Sequence, residues 1–568
     1  MTQDSRAGQM TPAASFRDLF TPKLVTVLRE GYGLSALRDD ALAGLTVAIV
    51  ALPLSMAIAI ASGVSPDRGL YTAIVGGFLV SLLGGSRFQI GGPAGAFIVL
   101  VASCVHRQGL DGMLLATFMA GFFLLAIGYL RLGTYIKFIP YPVTIGFTAG
   151  IGIIILSSQL RDLFGLTLDG PEPAEFLPKL EALVGAANTV TPAAVGIAIA
   201  TIGIILGLKK WKPTWPGLLI AVAVTAAAVP LLGLGVETIG TRFGGIPRTL
   251  PAPHIPAISL EKIQAVLPDA IAFALLGAIE SLLSAVVADG MSGRRHRSNC
   301  ELVAQGVANI GSALFGGVPV TGTIARTATN VRAGARGPVS GMLHSAFLLC
   351  FMLVAAPLAA HIPLAALAGV LVVVSLNMIE REAIKALVQS SWGDAVVLAV
   401  TFLLVVFRDL TEGIVVGFVL GALLFIHRMS TAVSVEEDKP DSTNGRRKPY
   451  DPHEADDPNT VIYRISGAFF FGTASMVSSV LDRIADQRRN FILDFSGAPL
   501  IDSTAANVVE GAVRKAHKKD VRVIITGASA NVRRLLIANG VRQPLVEFYP
   551  SIDEALDQIA GKAEAEAA

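Results

Sequence analysis

Residues 316–326 have the sequence Gly-Gly-Val-Pro-Val-Thr-Gly-Thr-Ile-Ala-Arg, and residues 88–97 have the sequence Phe-Gln-Ile-Gly-Gly-Pro-Ala-Gly-Ala-Phe. Both stretches lie in apolar surroundings, but glycine and proline interrupt each of them and release backbone groups from helical hydrogen bonding. At membrane depth such irregular backbone is tolerated only where it is buried in protein or lines a cavity. The two stretches therefore predict a pair of broken helices inside a membrane protein.

The composition of the whole chain agrees with a membrane protein that carries a soluble tail. The 568 residues are 53% hydrophobic and 15% charged, whereas soluble domains carry about 25% charged residues. We predict a cytoplasmic N-terminal segment (1–40), a transmembrane domain (41–433), a polar, proline-containing linker (434–460) and a small α/β domain (461–568). The first 40 residues lack an apolar core followed by a cleavage site, so we expect the first transmembrane segment itself to direct insertion.

About fourteen transmembrane segments are predicted from the requirement for about 20 apolar residues per span, or fewer where a segment is broken. They cover residues 41–62, 67–84, 90–105, 111–131, 137–157, 191–208, 215–235, 266–289, 299–316, 322–332, 338–358, 362–379, 392–408 and 411–430. The broken stretches belong to the third and tenth segments, which stand seven apart. Because seven is odd, the second half crosses the membrane in the opposite direction to the first. Broken segments at matching positions of an inverted repeat indicate the substrate site of a secondary transporter. A pair of proline-kinked helices without a ligand is the alternative.

Basic residues give the orientation of the segments. The loop between the eighth and ninth segments contains Arg294, Arg295 and Arg297, and clusters of this kind favour the cytoplasmic side. An even number of segments then places both termini in the cytoplasm.

The two broken stretches have the properties of an anion site. Half-helices that begin near Gly95 and Thr323 would direct free N–H groups and the positive ends of their dipoles to the bilayer centre. Arg326 adds a permanent positive charge in the first turn, unless it serves only as the partner of a structural acid. The residues predicted to bind the anion from these stretches are Gly92, Ala94, Gly95, Ala96, Gly322, Thr323, Ile324, Ala325 and Arg326.

Glu280 is the only acid in the interior of the eighth segment. A carboxylate at this depth costs about 2.5 kcal/mol or more, so it indicates an ion or substrate path. Ser284 follows one helical turn later on the same face. A carboxyl that is neutral with an anion bound and charged without it would couple transport to protons, and we predict this role for Glu280 and Ser284. A purely structural pair of Glu280 with Arg326 is the alternative.

The tail after the linker alternates between strand and helix patterns. Strands are predicted at 461–465, 491–495, 521–525 and near Val546, and helices at 474–488, 503–518, 531–539 and from Ser551. The nearest feature to a site is Asp502-Ser503-Thr504, where Asp502 or Ser503 would cap the second helix. Regulation by phosphorylation or ligand docking at these three residues is the alternative.

Other functions find no support in the sequence. Cys104, Cys300 and Cys350 lie in or beside apolar segments without metal-ligand spacing, and the apolar region shows no nucleophile–base pair of an enzyme. A net charge of +2 gives no indication of nucleic acid. We expect no metal and no cofactor other than a driving ion.

The combination of these motifs resembles the SulP sulfate-permease family of anion transporters, over about residues 20–559. The matching motifs are Gly91-Gly92-Pro93, Thr321-Gly322-Thr323-Ile324-Ala325-Arg326-Thr327, Glu280, and Asp494-Phe495-Ser496 followed by Asp502-Ser503-Thr504. The resemblance implies an uracil-permease-like 7+7 inverted repeat of α-helices, a C-terminal STAS domain, a homodimer and a cell inner membrane location. It also implies an elevator-like mechanism, in which a core (segments 1–4 and 8–11) carries the anion past a gate (segments 5–7 and 12–14). Ser55 of the first segment joins the predicted site on the same basis.

The resemblance leaves the substrate and the driving ion open. Sulfate leads, but Leu54 after Pro53 and Ala94 after Pro93 differ from many members. They imply a roomier, less polar pocket, which leaves bicarbonate or a C4-dicarboxylate open. Glu280 with Ser284 favours H⁺ over Na⁺ as the coupling ion. A sodium-coupled bicarbonate symporter, an anion channel, and an anion sensor that signals through the STAS domain remain alternatives. Membrane lipid and a cytoplasmic protein that binds the STAS domain are the other expected partners.

Overall fold

The computed structural model describes residues 19–136, 140–170, 172–173, 175–212, 215–408, 410–431, 434–437, 460–470 and 490–567. The chain divides into two compact units, Met1–Phe418 and Val419–Ala568.

The first unit is built from helices. They are α1 (Lys23–Arg29), α2 (Leu34–Ala61), α3 (Pro66–Tyr71), α4 (Gly77–Leu83), α5 (Ile98–Tyr129), α6 (Gly133–Ile136), α7 (Tyr141–Phe164), α8 (Phe176–Gly185), α9 (Pro192–Trp211), α10 (Gly217–Leu232), α11 (Ile239–Phe243), α12 (Leu260–Ser292), α13 (Ser298–Leu314), α14 (Ile324–Arg332), α15 (Val339–Ala359), α16 (Leu364–Met378), α17 (Arg381–Ser390), α18 (Trp392–Phe407) and α19 (Leu410–Thr431), the last of which continues into the second unit. A π-helical turn, Thr72–Gly76, joins α3 to α4. In the part of the chain that the structure describes, eight helical stretches are long and apolar enough to cross a membrane. The predicted class, a polytopic α-helical membrane protein, is confirmed.

Helix α5 combines the end of the third predicted segment with the fourth. The chain bends within it at Gly109, whose φ of 68° and ψ of −176° lie in a region that glycine alone adopts readily. A single glycine therefore replaces the loop that the sequence predicts between these two segments.

The two broken stretches meet each other. Strand β1 (Gly91–Gly92) pairs antiparallel with strand β2 (Thr321–Gly322), so that Gly91 lies opposite Gly322 and Gly92 opposite Thr321. A short 3₁₀ turn, Gly95–Phe97, leads from β1 into α5, and α14 begins directly after Thr323. We call β1 and β2 together the clasp. It holds the starts of both half-helices at one place in the unit.

The remaining helices pack in two sets around the clasp. Helix α5 packs on α12 and α13, and α2 packs on α15. Helix α7 packs on α16 and α18, and α9 packs on α10 and α16. The first set comes from the predicted core segments and the second from the predicted gate segments.

A brace formed by residues 19–33 crosses the ends of several helices. The backbone N–H of Lys23 donates to Gly84 O at 2.9 Å, and Arg297 Nη1 donates to Thr21 O at 2.8 Å. Glu30 accepts a hydrogen bond from Arg87, and this bond holds the pKa of the Glu30 carboxyl below its ordinary value. The predicted cytoplasmic N-terminal segment is therefore packed against the helical unit in this part.

The second unit contains a five-stranded sheet. Its strands are β3 (Ser434–Glu437), β4 (Thr460–Ser466), β5 (Asn490–Asp494), β6 (Arg522–Thr526) and β7 (Glu547–Tyr549), in that spatial order. Strand β3 runs antiparallel to β4, and the other neighbours are parallel. The helices are α20 (Ser503–His517), α21 (Ala530–Ala538) and α22 (Ile552–Ala567). These elements match the predicted α/β unit.

One boundary prediction in this unit is wrong. The sequence places residues 434–437 in the linker, whereas the structure places them in β3. An edge strand is held by backbone hydrogen bonds to a single neighbour, and these bonds do not require apolar side chains. The sequence of β3 includes Glu436 and Glu437, so it lacks the apolar pattern from which strands are predicted. The predicted helix 474–488 and the rest of the linker up to residue 459 lie outside the described residues.

Candidate functional site

Hydrogen bonds beyond the strand pairing tie the two half-helices together. The N–H and the hydroxyl of Thr323 both donate to Ile90 O, at 3.0 and 3.2 Å. In return, the N–H of Ile90 donates to Thr327 Oγ1 at 3.1 Å. The start of α14 and the residue before β1 therefore satisfy each other's polar groups, and the two halves of the chain share one platform.

Arg326 is buried at this platform, with 2% of its surface exposed. Its Nη2 donates to Ser55 Oγ at 3.1 Å. Its Nη1 lies so close to Gly92 that a Cβ at that position would overlap it. Nε and Nη1 have no hydrogen-bond partner among the described residues. Buried donors without acceptors are costly, so the guanidinium is suited to receive an anion.

Glu280 lies in the middle of α12 and is 7% exposed. Among the described residues, no hydrogen bond or ion pair joins its carboxyl to Arg326. The alternative of a structural Glu280–Arg326 pair is therefore wrong for this structure, because the guanidinium turns to Ser55 and Gly92 instead. The carboxyl of Glu280 is therefore buried without Arg326 as its partner, and the coupling role predicted for it stays a prediction.

Ser284 does not contact Glu280 through a hydrogen bond in the described structure. Its hydroxyl donates to Thr327 Oγ1 at 3.1 Å and so ties α12 to α14. The role predicted for Ser284 in ion coupling stays a prediction.

Ser281, next to Glu280, is a site residue that the sequence does not reveal. Its hydroxyl lies 2.7 Å from Thr321 Oγ1 and accepts the N–H of Gly322 at 3.2 Å. The turn that carries Glu280 thus supports β2 directly. A second polar residue beside an intramembrane acid is the signal that would have identified it.

A cavity of about 360 Å³ opens beside Arg326. Leu54, Ala325 and Thr329 line it on the side of α2 and α14, and Lys209 and Asn377 line it on the side of α9 and α16. Ala325 is exposed at this surface. The cavity therefore runs between helices of the predicted core and helices of the predicted gate. The core contributes the basic residue Arg326 and the gate contributes Lys209.

The start of the other half-helix faces apolar side chains. A Cβ built at Gly95 would lie 3.2 Å from Ile155 Cδ1 of α7 and 3.8 Å from Met378 Sδ of α16. Neither residue is predicted from the sequence, because an apolar side chain in an apolar helix carries no signal. Ala94 and Ala96 are buried beside β1, and Ile324 is half-buried at the start of α14.

In the second unit, the predicted turn is a helix cap. Asp502 Oδ1 accepts the N–H of Ala505 at 2.8 Å, and Ser503 and Thr504 are exposed. The capping interpretation of Asp502 is the one that the structure shows. Among the described residues, no group of three or more His, Cys, Asp or Glu side chains is arranged to hold a metal ion.

Comparisons with known proteins identify both units. The sulfate permease family profile matches residues 37–401, and the STAS domain profile matches residues 453–555. The chain is 39% identical over 514 residues to a putative sulfate transporter, YvdB, of Bacillus subtilis, covering 90% of this chain and 95% of that protein. It is 33% identical over 520 residues to the bicarbonate transporter BicA of Synechocystis, covering 88% and 90%.

Solved structures give the same result for the fold. The structure of SLC26A9 superposes with a TM-score of 0.82 over 96% of this chain and 93% of that chain, at 18% sequence identity. The transmembrane domain of a cyanobacterial bicarbonate transporter BicA superposes with a TM-score of 0.61 at 32% identity, over 69% of this chain and 98% of that domain.

Proposed function

The chain belongs to the sulfate permease family and carries a STAS domain, and from this premise we propose that it is a secondary active transporter of a small oxyanion, with sulfate as the leading substrate. One observation carries the proposal. The starts of two half-helices and the unpartnered Nε and Nη1 of Arg326 converge at the clasp. Aligned helix N-termini and a guanidinium are the groups that bind oxyanions in proteins.

Glu280 is the proposed coupling residue. Its turn holds β2 through Ser281, so a change in the charge of the carboxyl acts on the strand next to the anion site. Arriving negative charge favours the protonated carboxyl by simple repulsion. Proton and anion would then cross together, as symport.

An elevator-like movement suits the arrangement of the helices. Both half-helices and the Glu280 turn are joined by hydrogen bonds to one another, so they can move as one body. The cavity beside Arg326 lies between this body and helices α9 and α16. The groups that hold the anion would thus travel past a gate that contributes mainly apolar side chains, such as Ile155 and Met378.

A second candidate is sodium-coupled bicarbonate uptake. The relative named as a bicarbonate transporter is 33% identical over 520 residues. Two apolar residues, Leu54 in the wall of the cavity and Ala94 beside β1, make the site less polar and so favour a substrate with less charge than sulfate. A C4-dicarboxylate remains a further substrate to test.

The orientation and assembly are part of the proposal. Both termini lie in the cytoplasm, because the Arg294–Arg297 loop obeys the positive-inside rule, and the membrane is the cell inner membrane. The protein acts as a homodimer, and its STAS domain binds a cytoplasmic partner.

Uptake into liposomes tests the proposal. Purified protein is reconstituted, and radiolabelled sulfate, bicarbonate and a C4-dicarboxylate are each supplied with and without an inward pH gradient and with and without sodium. We expect sulfate to accumulate above equilibrium when the outside is acidic, independently of sodium. Accumulation of bicarbonate that requires sodium favours the second candidate. Flux of an anion without accumulation indicates a channel, and binding without flux indicates a sensor.

Arg326→Ala is the matched test of the anion site, with Arg332→Ala at the other end of α14 as the control. Loss of a charged hydrogen-bond donor costs about 1.5–3 kcal/mol, so sulfate affinity should fall at least about tenfold in the first variant alone. Unchanged affinity of Arg326→Ala would remove Arg326 from the site.

A further inference from the structure

Glu301 is another buried acid of the first unit, besides Glu280, Asp40 and Asp269, and the transport proposal does not use it. Its side chain lies in the first turn of α13 with 0% exposure. One carboxylate oxygen accepts the N–H of Ser86 at 3.0 Å. The other accepts Nε2 of Gln89 and Nε2 of Gln305, each at 3.0 Å. The carboxylate is thus a fixed acceptor, held by the start of a helix whose dipole favours negative charge.

Gln89 connects this acceptor to the helix of Glu280. Its Nε2 donates to Glu301 Oε1 and also to Ser281 O, both at 3.0 Å. Both neighbours are acceptors, so only the nitrogen end of the amide fits between them. The Oε1 of Gln89 is buried and has no partner among the described residues. A buried acceptor without a donor is unfavourable. The stabilising contribution of this side chain therefore comes from the two hydrogen bonds that its Nε2 donates.

Gln89 also lies directly against the clasp. A Cβ at Gly322 would overlap the amide of Gln89, and the hydroxyl of Ser281 accepts the N–H of the same glycine. The side chain therefore contacts β2 while it joins the approach to β1 with the Glu280 turn of α12.

We propose that Gln89, anchored by Glu301, is a positioning residue that sets the spacing between the Glu280 turn and the clasp. The inference deepens the proposed anion-carrier function and rests on it. Gln89 is assigned no contact with the anion. It acts through the placement of β2, and with it the start of α14 and Arg326. Since a misplacement of about 1 Å at a site can cost about 100-fold in activity, loss of this spacer weakens anion binding while every anion-binding group is still present.

Two variants separate positioning from simple support. Gln89→Met and Gln305→Met each replace an amide by an apolar side chain of similar length, and each removes one donor from the same oxygen of Glu301. Of the two glutamines, only Gln89 donates a hydrogen bond to Ser281 and contacts Gly322. Sulfate and bicarbonate affinities of the purified full-length chain are measured by calorimetry in lipid nanodiscs, together with thermal midpoints and liposome uptake.

We expect the Kd of Gln89→Met to rise at least about tenfold, while that of Gln305→Met stays close to the wild-type value and both lose similar thermal stability. Equal Kd values in the two variants, or a wild-type Kd in Gln89→Met, would overturn the proposal. If Gln89→Met does not fold, Gln89→Asn shortens the spacer and retains the amide. A raised Kd then supports the proposal and an unchanged Kd overturns it. A wild-type chain that binds sulfate without transporting it removes the transport function and leaves this test intact, whereas one that binds neither anion overturns both.

Discussion

The guanidinium of Arg326 packs directly on the backbone of Gly92. The two residues come from opposite halves of the chain, and Nη1 occupies the space that a side chain at position 92 would need. The contact fixes where the positive charge stands relative to the clasp, because Nη2 is held by Ser55 at the same time. A glycine in the first half thus determines the position of a cation in the second.

Gly92→Ala should displace Arg326 and weaken anion binding. The added methyl group overlaps Nη1, so the guanidinium must move away from the anion. Loss of its hydrogen bond to the anion costs about 1.5–3 kcal/mol, which is roughly a tenfold loss of affinity or more. Calorimetry with sulfate measures the effect. Gly203→Ala is the control, because a Cβ at Gly203 meets nothing within 4 Å. Wild-type affinity in Gly92→Ala would mean that the guanidinium does not act from its observed position.

Glu280→Gln should separate anion movement from the pH gradient. Glutamine keeps the size of the side chain and removes its titration, so sulfate should still bind but should no longer accumulate in response to an acidic exterior. Proteoliposome uptake with and without the gradient measures this. Glu261→Gln, an exposed acid in the first turn of the same helix, serves as the control. Gradient-driven accumulation that survives in Glu280→Gln assigns the coupling to another group.

The pair of Glu30 and Arg87 should make the stability of the brace depend on pH. The hydrogen bond from Arg87 lowers the pKa of Glu30. The contribution of this contact to the free energy of unfolding is therefore present above the ordinary pKa of a glutamate carboxyl and is lost as the pH falls through the lower pKa of the folded state. Glu30→Gln should lower the thermal midpoint at neutral pH, and the difference from wild type should close in acid. A difference that is the same at every pH would show that the carboxylate charge is not what stabilises the contact.

Asp502 should matter as a cap and not as a charge. Its side chain accepts the N–H of Ala505, and removal of such a cap costs about 1 kcal/mol. Hydrogen exchange of the full-length chain should therefore show faster exchange at the start of α20 in Asp502→Ala. Asp502→Asn retains a capping oxygen and should exchange like the wild type. If both variants exchange faster, the carboxylate has a role beyond capping.

The sequence reveals those parts of the site that stand out against their surroundings. Glu280 and Arg326 are charges in apolar segments, and the broken stretches are glycine and proline among aliphatic residues. All of these features can therefore be recognised from the sequence alone. The direct pairing of Gly91 with Gly322 is not visible, because it depends on how two distant stretches approach. Glu301 satisfies the same criterion as Glu280, but its position near a segment end makes it look like a boundary residue. Ile155 and Met378 have no distinguishing chemistry, so only the folded chain reveals them.

The clasp also has a consequence for the synthesis and membrane insertion of the protein. Ile90 is synthesised 233 residues before Thr323, the residue that donates two hydrogen bonds to it. Throughout that interval, several apolar segments enter the bilayer while the polar backbone of the first broken stretch has no permanent partner, a state that hydrocarbon does not tolerate. We therefore expect this stretch to stay hydrated, or shielded by the insertion machinery, until the second half has been made. We expect a substitution in the clasp to lower the amount of correctly inserted protein as well as transport.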